Sequence, residues 1–338
     1  MKLEESENGE THTNLKKRHA KLNCTAIMKL PLFSNQDVAG LEAPGVNGVP
    51  NKTTTRIINA DCATALKFLP NDSIDLVVTS PPYADQRKGT YGGVPADKYV
   101  EWFLPIVDEL YRVLKPTGSF ILNIKERVVD GERHTYVMEL IIEMRKRGWF
   151  WTEEYIWHKR NCYPGKWPNR FRDAWERCLH FTKQKKFAMY QEAVMVPMGD
   201  WRHSRLKSLS ETDRLRDESK VGSGFGKKIE NWIGREMAYP TNVLHLATEC
   251  GNKSHSAVFP EGLPEWFIKL FTKPGDTILD PFMGSGTALR VSQRLERNSV
   301  GIELLAEYCE MAAAEMGLTK IKTKAANAPS IYETAKSA

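Results

Sequence analysis

The 338-residue sequence lacks the marks of several large classes of protein. No run of 18 apolar residues occurs, which excludes a membrane-spanning helix. The N-terminal stretch MKLEESENGETHTN contains no apolar core, so a secretory signal is not expected. The six cysteines are scattered without a CxxC pair, which predicts neither a disulfide framework nor a metal site. Together these absences favour a cytoplasmic protein with no membrane partner and no bound metal.

The charge that is present is distributed unevenly. The chain carries 48 Lys+Arg against 42 Asp+Glu, a net charge of +6, and 41% of its residues are hydrophobic, enough for a sizeable core. Residues 145–235 alone hold 21 Lys+Arg, 11 Asp+Glu and seven of the nine tryptophans. A basic, aromatic-rich segment is typical of a polyanion-binding surface. A solvated face over ordinary core aromatics explains the same composition, and charge alone leaves both interpretations open.

Short apolar runs alternate with helical patterns through the middle of the chain. Five runs have strand character: Thr55–Asn59, Asp75–Thr79, Ser119–Ile124, Thr277–Asp280 and Ser299–Ile302. Four patterns predict helices: Tyr99–Leu114, Thr135–Arg147, Leu263–Phe271 and Gly286–Leu295. The first helix is predicted to end at a turn formed by Lys115–Gly118. Strands alternating with helices predict an α/β fold with a doubly wound, mostly parallel sheet.

Composition divides the chain into five predicted parts. The ends are polar or rich in Ala, Lys and Ser, which predicts a flexible leader and a flexible tail. A charged, Gly-rich segment interrupts the strand–helix alternation and is predicted to be an insertion. The predicted boundaries are 1–52 for the leader, 53–190 and 249–318 for the two halves of the α/β domain, 191–248 for the insertion and 319–338 for the tail.

The first motif is Asp280–Thr287, with the sequence DPFMGSGT, between a predicted strand and a predicted helix. A Gly-rich turn there lets a ligand approach the backbone, and the helix N-terminus offers free N–H groups. Glu303 ends the next strand, where a carboxylate can accept both hydroxyls of a ribose. GxG alone fits a plain tight turn, and the dehydrogenase fingerprint GxGxxG is absent, which argues against an ordinary dinucleotide site.

The second motif is Thr79–Tyr83, with the sequence TSPPY, directly after a predicted strand. Two successive prolines fix the local backbone and donate no hydrogen bond, so the segment becomes a rigid rim of carbonyl acceptors. Ser80 adds a hydroxyl and Tyr83 adds a flat aromatic face. Such a rim suits an exocyclic amine on a stacked base, although a proline-stiffened turn is the alternative interpretation.

Together the two motifs resemble those of the S-adenosylmethionine-dependent DNA amino-methyltransferases, in the order found in the beta group of that family. The resemblance covers about Thr55–Gly317. It implies a Rossmann-like methyltransferase fold, S-adenosylmethionine as cofactor, double-stranded DNA as partner, and a target-recognition role for the insertion. The implied chemistry is direct methyl transfer to the exocyclic amine of a flipped-out base, without a covalent enzyme–base intermediate. The implied catalytic residues are Ser80, Pro81, Pro82 and Tyr83.

The resemblance also implies a set of cofactor-binding residues. Asp61 would bind the adenine amino group, within Asn59–Cys62, where Ala60 stands in place of the usual glycine. Phe282 would pack on the adenine, and Glu303 would hold the ribose. Two residues would lie near the methionine moiety: Asp280, and Ser256 of the segment HSAVFP. The full implied set is Asp61, Cys62, Ser256, Asp280, Pro281, Phe282, Gly284, Gly286, Thr287 and Glu303.

The target base is inferred from the residue before the two prolines. In the family, Asp at that position goes mostly with adenine and Ser mostly with cytosine N4, and here it is Ser80. The prediction is therefore a cytosine-N4 methyltransferase, with an adenine-N6 enzyme as the alternative. Tyr155–Lys159 resembles a strand that borders the target-base pocket. The sequence is also compatible with methylation of RNA or protein, with an inactive cofactor-binding regulator of DNA, and more distantly with an oxidoreductase.

The insertion supplies the candidate DNA contacts. Its basic residues are expected to bind phosphates for the most part, because phosphate contacts outnumber base contacts. His203 and His245 are expected to be structural, since amine methylation requires no histidine pair. The resemblance leaves open a cognate restriction endonuclease or an orphan epigenetic role, and a monomer or a homodimer. The candidate DNA-binding residues are Arg202, Arg205, Lys207, Arg214, Arg216, Lys227 and Lys228.

Overall fold

A computed structural model of the chain describes residues 53–86, 93–162, 165, 168–199, 234–248, 259–321 and 330–334. The strands are β1 Thr55–Asn59, β2 Ile74–Thr79, β3 Leu114–Ile124, β4 Val128–Val129, β5 Glu132–Arg133, β6 Phe150–Lys159, β7 Trp175–Thr182, β8 Val196–Pro197, β9 Met237–Ala238, β10 Val243–Leu246, β11 Thr277–Asp280, β12 Asn298–Glu303, β13 Leu318–Ile321 and β14 Ile331–Thr334. The α-helices are α1 Cys62–Ala65, α2 Tyr99–Val113, α3 Tyr136–Lys146, α4 Gly262–Phe271, α5 Thr287–Arg294 and α6 Ala306–Glu315. Short 3₁₀ turns lie at Leu66–Phe68, Ala96–Lys98 and Gln191–Val194.

One large sheet forms the centre of the molecule, in the order β10-β6-β7-β3-β2-β11-β12-β1-β14-β13. The five strands β3, β2, β11, β12 and β1 are parallel to their neighbours within this group. Strand β7 runs antiparallel between β3 and β6, and β14 runs antiparallel to β1. The sheet is therefore mixed but mostly parallel, as the alternation of strands and helices predicted.

Alternating side chains of the central strands build two separate cores. In β2, Val77 packs with residues of α2 and α3, whereas Leu76 and Val78 pack with residues of α4 and α5. Successive side chains of a strand point to opposite faces, so a strand covered on both sides is apolar throughout. The continuous run LVV in β2 meets this requirement, and helices cover both faces of the sheet.

Chain direction across the sheet reverses between β2 and β11. From β2 the chain passes through α2 to β3 on one side, and from β11 it passes through α5 to β12 on the other. Doubly wound sheets bind ligands at this kind of switch point, in the crevice outside the carboxyl ends of the two strands. Here those ends are Thr79 and Asp280, the first residue of each sequence motif.

The predicted central elements are present, with one difference at β3. Residues Lys115–Gly118 were expected to form a turn, but β3 begins at Leu114. The register of β3 against β2 shifts between Ile74 and Leu76, and this irregularity absorbs the Pro–Thr–Gly sequence inside the strand. The Lys115 ammonium also lies 2.8 Å from the carboxylate of Asp75 on β2.

The predicted flexible tail is corrected by the structure. Residues Leu318–Ile321 and Ile331–Thr334 are strands β13 and β14, which extend the sheet beyond β1 with β13 at its edge. Ile331 and Tyr332 are buried, and Glu333 forms an ion pair with Arg56 of β1. The two buried residues are too few to change the average composition of a segment rich in Ala, Lys and Ser, so composition did not predict these strands.

The described ends of the predicted insertion belong to the main domain. Val194 and Leu244 are buried in the core that contains α4, and β10 extends the main sheet beside β6. The middle of the insertion, residues 200–233, lies outside the described residues, as does the predicted leader 1–52. Throughout the described part of the chain, no helix is both long and apolar enough to cross a membrane.

Candidate active site at the switch point of the sheet

A cleft of about 320 Å³ opens at the carboxyl ends of β2 and β11. Both sequence motifs contribute to its walls, through Ser80 and Tyr83 on one side and through Phe282 and Thr287 on the other. Glu303, at the end of β12, lines the same cleft. The fold therefore brings together two segments that are separated by about 200 residues in the sequence.

One buried hydrogen bond joins the two motifs. The Thr79 hydroxyl donates to Asp280 Oδ1 at 2.6 Å, and the Phe282 backbone N–H donates to the same oxygen at 3.1 Å. Asp280 is 1% exposed, and it is not among the residues that line the cleft. Burial raises the pKa of Asp280 to about 7, and the Glu303 carboxylate adds to this shift. Asp280 thus holds the Gly-rich turn against β2 from behind the cleft wall.

The Gly-rich turn is also held by Glu303. Its Oε2 accepts the Gly284 N–H at 3.0 Å, and its Oε1 accepts the Leu305 N–H at 2.9 Å. A carboxylate oxygen accepts more than one hydrogen bond, so these contacts fix the group without exhausting it. Gly286 has a φ of 82°, and a Cβ there would lie 3.1 Å from the Ala312 Cβ, which explains the glycine.

Aromatic and polar groups complete the side of the cleft that the Gly-rich turn forms. Phe282 packs at 6.0 Å, ring centroid to ring centroid, against Trp102 of α2. Asp61 is exposed at the rim and caps α1 by accepting the Thr64 N–H at 3.1 Å. Burial raises the pKa of the adjacent Cys62 thiol far above its usual value, so this cysteine stays protonated.

A hydrogen-bonded network lies behind the Ser-Pro-Pro-Tyr rim. Ser80 Oγ donates to Tyr83 Oη at 3.3 Å, and Tyr83 Oη donates to Glu176 Oε2 at 2.6 Å. Lys159 forms an ion pair with the other oxygen of Glu176. Burial raises the pKa of Tyr83 well above its usual value, and the negative charge of Glu176 is the second largest cause. Tyr83 therefore stays a neutral phenol that donates its single proton.

Several cleft-lining residues escaped the sequence reasoning. Glu176 is the second residue of β7, and the signal that could have found it is a nearly fully buried carboxylate in a strand. The Ser285 hydroxyl is buried in the cleft wall without a hydrogen-bond partner among the described residues. Trp102, Asn123 and Glu176 are among the cleft-lining residues outside every predicted site segment, whereas Trp157 and Lys159 belong to the predicted pocket-bordering segment Tyr155–Lys159, Phe259 to HSAVFP and Ser285 to the first motif.

The remaining candidates from the sequence do not line the cleft or fall outside the described residues. His245 lies on edge strand β10 with its Nδ1 3.0 Å from His158 Nδ1, away from the cleft. Within the described residues, no group of His, Cys, Asp and Glu side chains could hold a metal ion. Outside the described residues are Ser256, His203 and the seven basic candidates Arg202, Arg205, Lys207, Arg214, Arg216, Lys227 and Lys228.

The described part of the basic segment reaches the cleft-side edge of the sheet. The connection from β6 to β7 carries the sequence Arg170-Phe171-Arg172, and the Phe171 side chain is 97% exposed. This connection rejoins the sheet where the Lys159 N–H donates to the Ala174 carbonyl at 2.7 Å. The loop therefore leads directly into β7, next to the end of β6 where Lys159 lines the cleft.

The fold and the cleft together define a methyltransferase with a Rossmann-like sheet. Residues 74–314 match the family model described as DNA methylase, and the chain belongs to that family. The match spans both motifs and all of the central strands except β1.

Known proteins of similar sequence are type II methyltransferases. M.PvuII of Proteus hauseri is 31% identical over 277 residues, which cover 75% of this chain and 81% of the relative. M.BglII of Bacillus subtilis is 28% identical over 286 residues, 84% of this chain and 75% of the relative. A solved structure of the PvuII DNA methyltransferase, named as cytosine-N4-specific, superposes with a TM-score of 0.60 at 25% identity, covering 82% of this chain and 89% of that one.

Proposed function

We propose that this protein transfers a methyl group from S-adenosylmethionine to the N4 amine of cytosine in double-stranded DNA. The observation that carries the proposal is the meeting of Ser80–Tyr83 and Asp280–Thr287 in one cleft, joined by the Thr79–Asp280 hydrogen bond. A methyl donor and an amine acceptor must lie side by side for direct transfer, and positioning supplies a large part of such catalysis.

The donor side of the cleft fits S-adenosylmethionine. The orphaned Ser285 hydroxyl and the N-terminus of α5 offer hydrogen bonds to a charged amino-acid group. We assign Glu303 to the ribose, Asp61 and Cys62 to the adenine side, and Phe282 to its ring face. Pro281, Gly284, Gly286 and Thr287 shape the turn, and Asp280 anchors it. When bound, the cofactor supplies an electrophilic methyl group on a positively charged sulfur.

The acceptor side of the cleft fits a flipped-out base. We assign Ser80 as the acceptor for the exocyclic amine and the Tyr83 ring as a face for the base. Pro81 and Pro82 make this rim rigid, and the Pro82 carbonyl is further fixed by a hydrogen bond from Tyr99 at 3.1 Å. Preorganised acceptors of this kind stabilise a developing positive charge on the amine without reorganisation.

Cytosine is favoured over adenine by two observations. Ser80 stands where a carboxylate would indicate adenine, and the PvuII enzyme with a TM-score of 0.60 is named as cytosine-N4-specific. If the methylated nucleoside is N6-methyldeoxyadenosine, the enzyme is instead an adenine-N6 methyltransferase.

DNA binding is assigned to the basic segment. Arg170 and Arg172 are proposed phosphate contacts at the edge of the cleft, and the exposed Phe171 is proposed to stack on a base. The remaining target recognition is placed between residues 191 and 248, which contain the seven basic candidates. We place the enzyme in the cytoplasm with its DNA, as the modifying partner of a type II restriction endonuclease.

The proposed roles predict that catalysis and cofactor binding separate in one variant. Ser80→Ala should lose at least 100-fold in methyl-transfer rate, because the amine loses its acceptor, while S-adenosylmethionine binds within about threefold of the native affinity. Transfer of a radiolabelled methyl group to plasmid DNA and titration calorimetry measure the two quantities. A Ser80→Ala protein that methylates DNA at the native rate contradicts the assignment.

A further inference from the structure

A chain of hydrogen bonds leads from the proposed amine acceptor to a buried carboxylate. It runs from Ser80 to Tyr83 and from Tyr83 to Glu176, with donor–acceptor distances of 3.3 and 2.6 Å. Glu176 is only 6% exposed, and Lys159 is its ionic partner. A buried ion pair is weak evidence for stability, because its desolvation offsets much of the attraction. Stability alone therefore does not explain a Glu176–Lys159 pair that is hydrogen-bonded to Tyr83, which points to a functional role.

The direction of each hydrogen bond is fixed by the carboxylate end. Glu176 in its ionised form only accepts, so the single Tyr83 proton points toward it. Asn123 Oδ1 is the weaker acceptor for the Tyr83 proton, because it is neutral and lies 3.3 Å from the Tyr83 hydroxyl. The Asn123 Nδ2 donates to the Arg177 carbonyl. Tyr83 then accepts from Ser80, and Ser80 keeps its lone pairs for a donor in the cleft.

Resting on the methyltransferase function proposed above, we propose that Glu176 is the terminal proton acceptor of the reaction, reached through Ser80 and Tyr83. As the exocyclic nitrogen bonds to the methyl carbon and the methyl carbon–sulfur bond breaks, one N–H bond of the amine must break. Its proton passes to Ser80, the Ser80 proton to Tyr83, and the Tyr83 proton to Glu176. The positive charge of the donor and the negative charge of Glu176 both disappear, so charge and protons balance.

Lys159 is the positioning residue of this relay. Its ammonium holds Glu176 Oε1 and leaves Oε2 for Tyr83, and it lies 5.0 Å from the ring centre of Trp157. The Ser80–Tyr83 hydrogen bond is long, at 3.3 Å, and must shorten for proton transfer. Hydrogen bonds at catalytic sites commonly shorten in this way once substrate is bound.

The relay is tested with the full-length protein, plasmid DNA and radiolabelled S-adenosylmethionine under single-turnover conditions. Glu176→Gln should lower the methyl-transfer rate about 100-fold or more, the range that positioned proton transfer contributes. Affinities for cofactor and DNA should change less than about threefold. The rate of the variant should rise with pH, because hydroxide must now remove the proton, and formate should partly restore the Glu176→Ala protein.

Two further variants separate a relay from a structural role. Glu154→Gln also removes a half-buried carboxylate from an ion pair, with Arg177, but does not contact Tyr83, and its rate should match the native rate. Tyr83→Phe keeps the ring and cuts the chain, so the double variant with Glu176→Gln should be no slower than either single variant.

The possible results distinguish the relay from the proposed function. If the native protein transfers label to no DNA, the proposed function and the relay are both overturned. If the native protein is active and Glu176→Gln is equally fast, the relay alone is overturned. The relay is also overturned if the losses of Tyr83→Phe and Glu176→Gln multiply, or if neither rising pH nor formate accelerates the Glu176 variants. If Glu176→Gln fails to fold, the pH response of Tyr83→Phe decides the question, and a rate that does not rise with pH contradicts the relay.

Discussion

At the scale of single residues, Asp280 joins the two motifs through a buried carboxyl group, whose ionised form is destabilised by that burial. Its carboxyl group is buried among Thr79, Phe282 and the core, and burial raises its pKa from 3.8 to about 7. A carboxyl group whose pKa is raised in the folded state binds its proton more tightly there than in the unfolded chain. The folded state is therefore favoured at low pH, and that advantage is lost as the pH rises toward 7.

This pH dependence is testable with an isosteric variant. Between about pH 4 and pH 7 the free energy of unfolding should contain a contribution that falls by up to about 4 kcal/mol. Asp280→Asn keeps the acceptor oxygen for Thr79 and Phe282 but does not titrate, so this contribution should vanish. Urea unfolding of both proteins at several pH values gives the difference directly. Parallel curves for the two proteins across this range would contradict the raised pKa.

At the scale of elements, the central strands and the helices between them could be predicted from the sequence. Val77 and its neighbours form an uninterrupted apolar run, and the motifs at Thr79 and Asp280 mark where strands end. Strands β13 and β14 could not be predicted, because they form by pairing, β14 with β1 and β13 with β14, rather than through their own composition. Glu176 was missed for a related reason, because nothing in the sequence around it shows that β7 borders the cleft. Lys159 lies in the predicted pocket-bordering segment Tyr155–Lys159, and it lines the cleft.

Strands β13 and β14 should contribute measurably to stability. Ile331 is 2% exposed beside β1, so Ile331→Ala should lower the free energy of unfolding by about 2–4 kcal/mol. Thr319→Ala on the neighbouring strand truncates an exposed side chain and should change it by less than about 0.5 kcal/mol. Chemical denaturation of the two variants provides the comparison. Equal stability of Ile331→Ala and the native protein would show a frayed tail instead.

At the scale of the whole molecule, the positive charge is concentrated in one part of the chain. The net charge of +6 hides a local excess of ten positive charges in residues 145–235. The cleft draws on residues inside and outside that segment. Glu176 and Glu303 line it and are each fixed by an ion pair or hydrogen bonds, and Asp280 anchors the Gly-rich turn from behind its wall. The Arg170–Arg172 loop belongs to the basic segment and leads into β7, whose Glu176 lines the cleft.

This arrangement predicts a defined salt dependence of DNA binding. The logarithm of the affinity should fall linearly with the logarithm of salt concentration, by about 0.9 for each phosphate neutralised. Replacing both Arg170 and Arg172 by Gln should reduce that slope by about 1.8. Arg145→Gln on the outer side of α3 should leave the slope unchanged. Fluorescence anisotropy with a labelled duplex at several salt concentrations measures it, and identical slopes for all three proteins would remove the loop from the interface.

The central claim is that the cleft at the switch point methylates the N4 amine of cytosine. The most direct measurement is mass spectrometry of nucleosides from unmethylated plasmid DNA treated with the native protein and isotopically labelled S-adenosylmethionine. The expected product is labelled N4-methyldeoxycytidine, with none from the Ser80→Ala protein. Labelled N6-methyldeoxyadenosine would contradict the assignment of the base, and the absence of any labelled nucleoside would contradict the function itself.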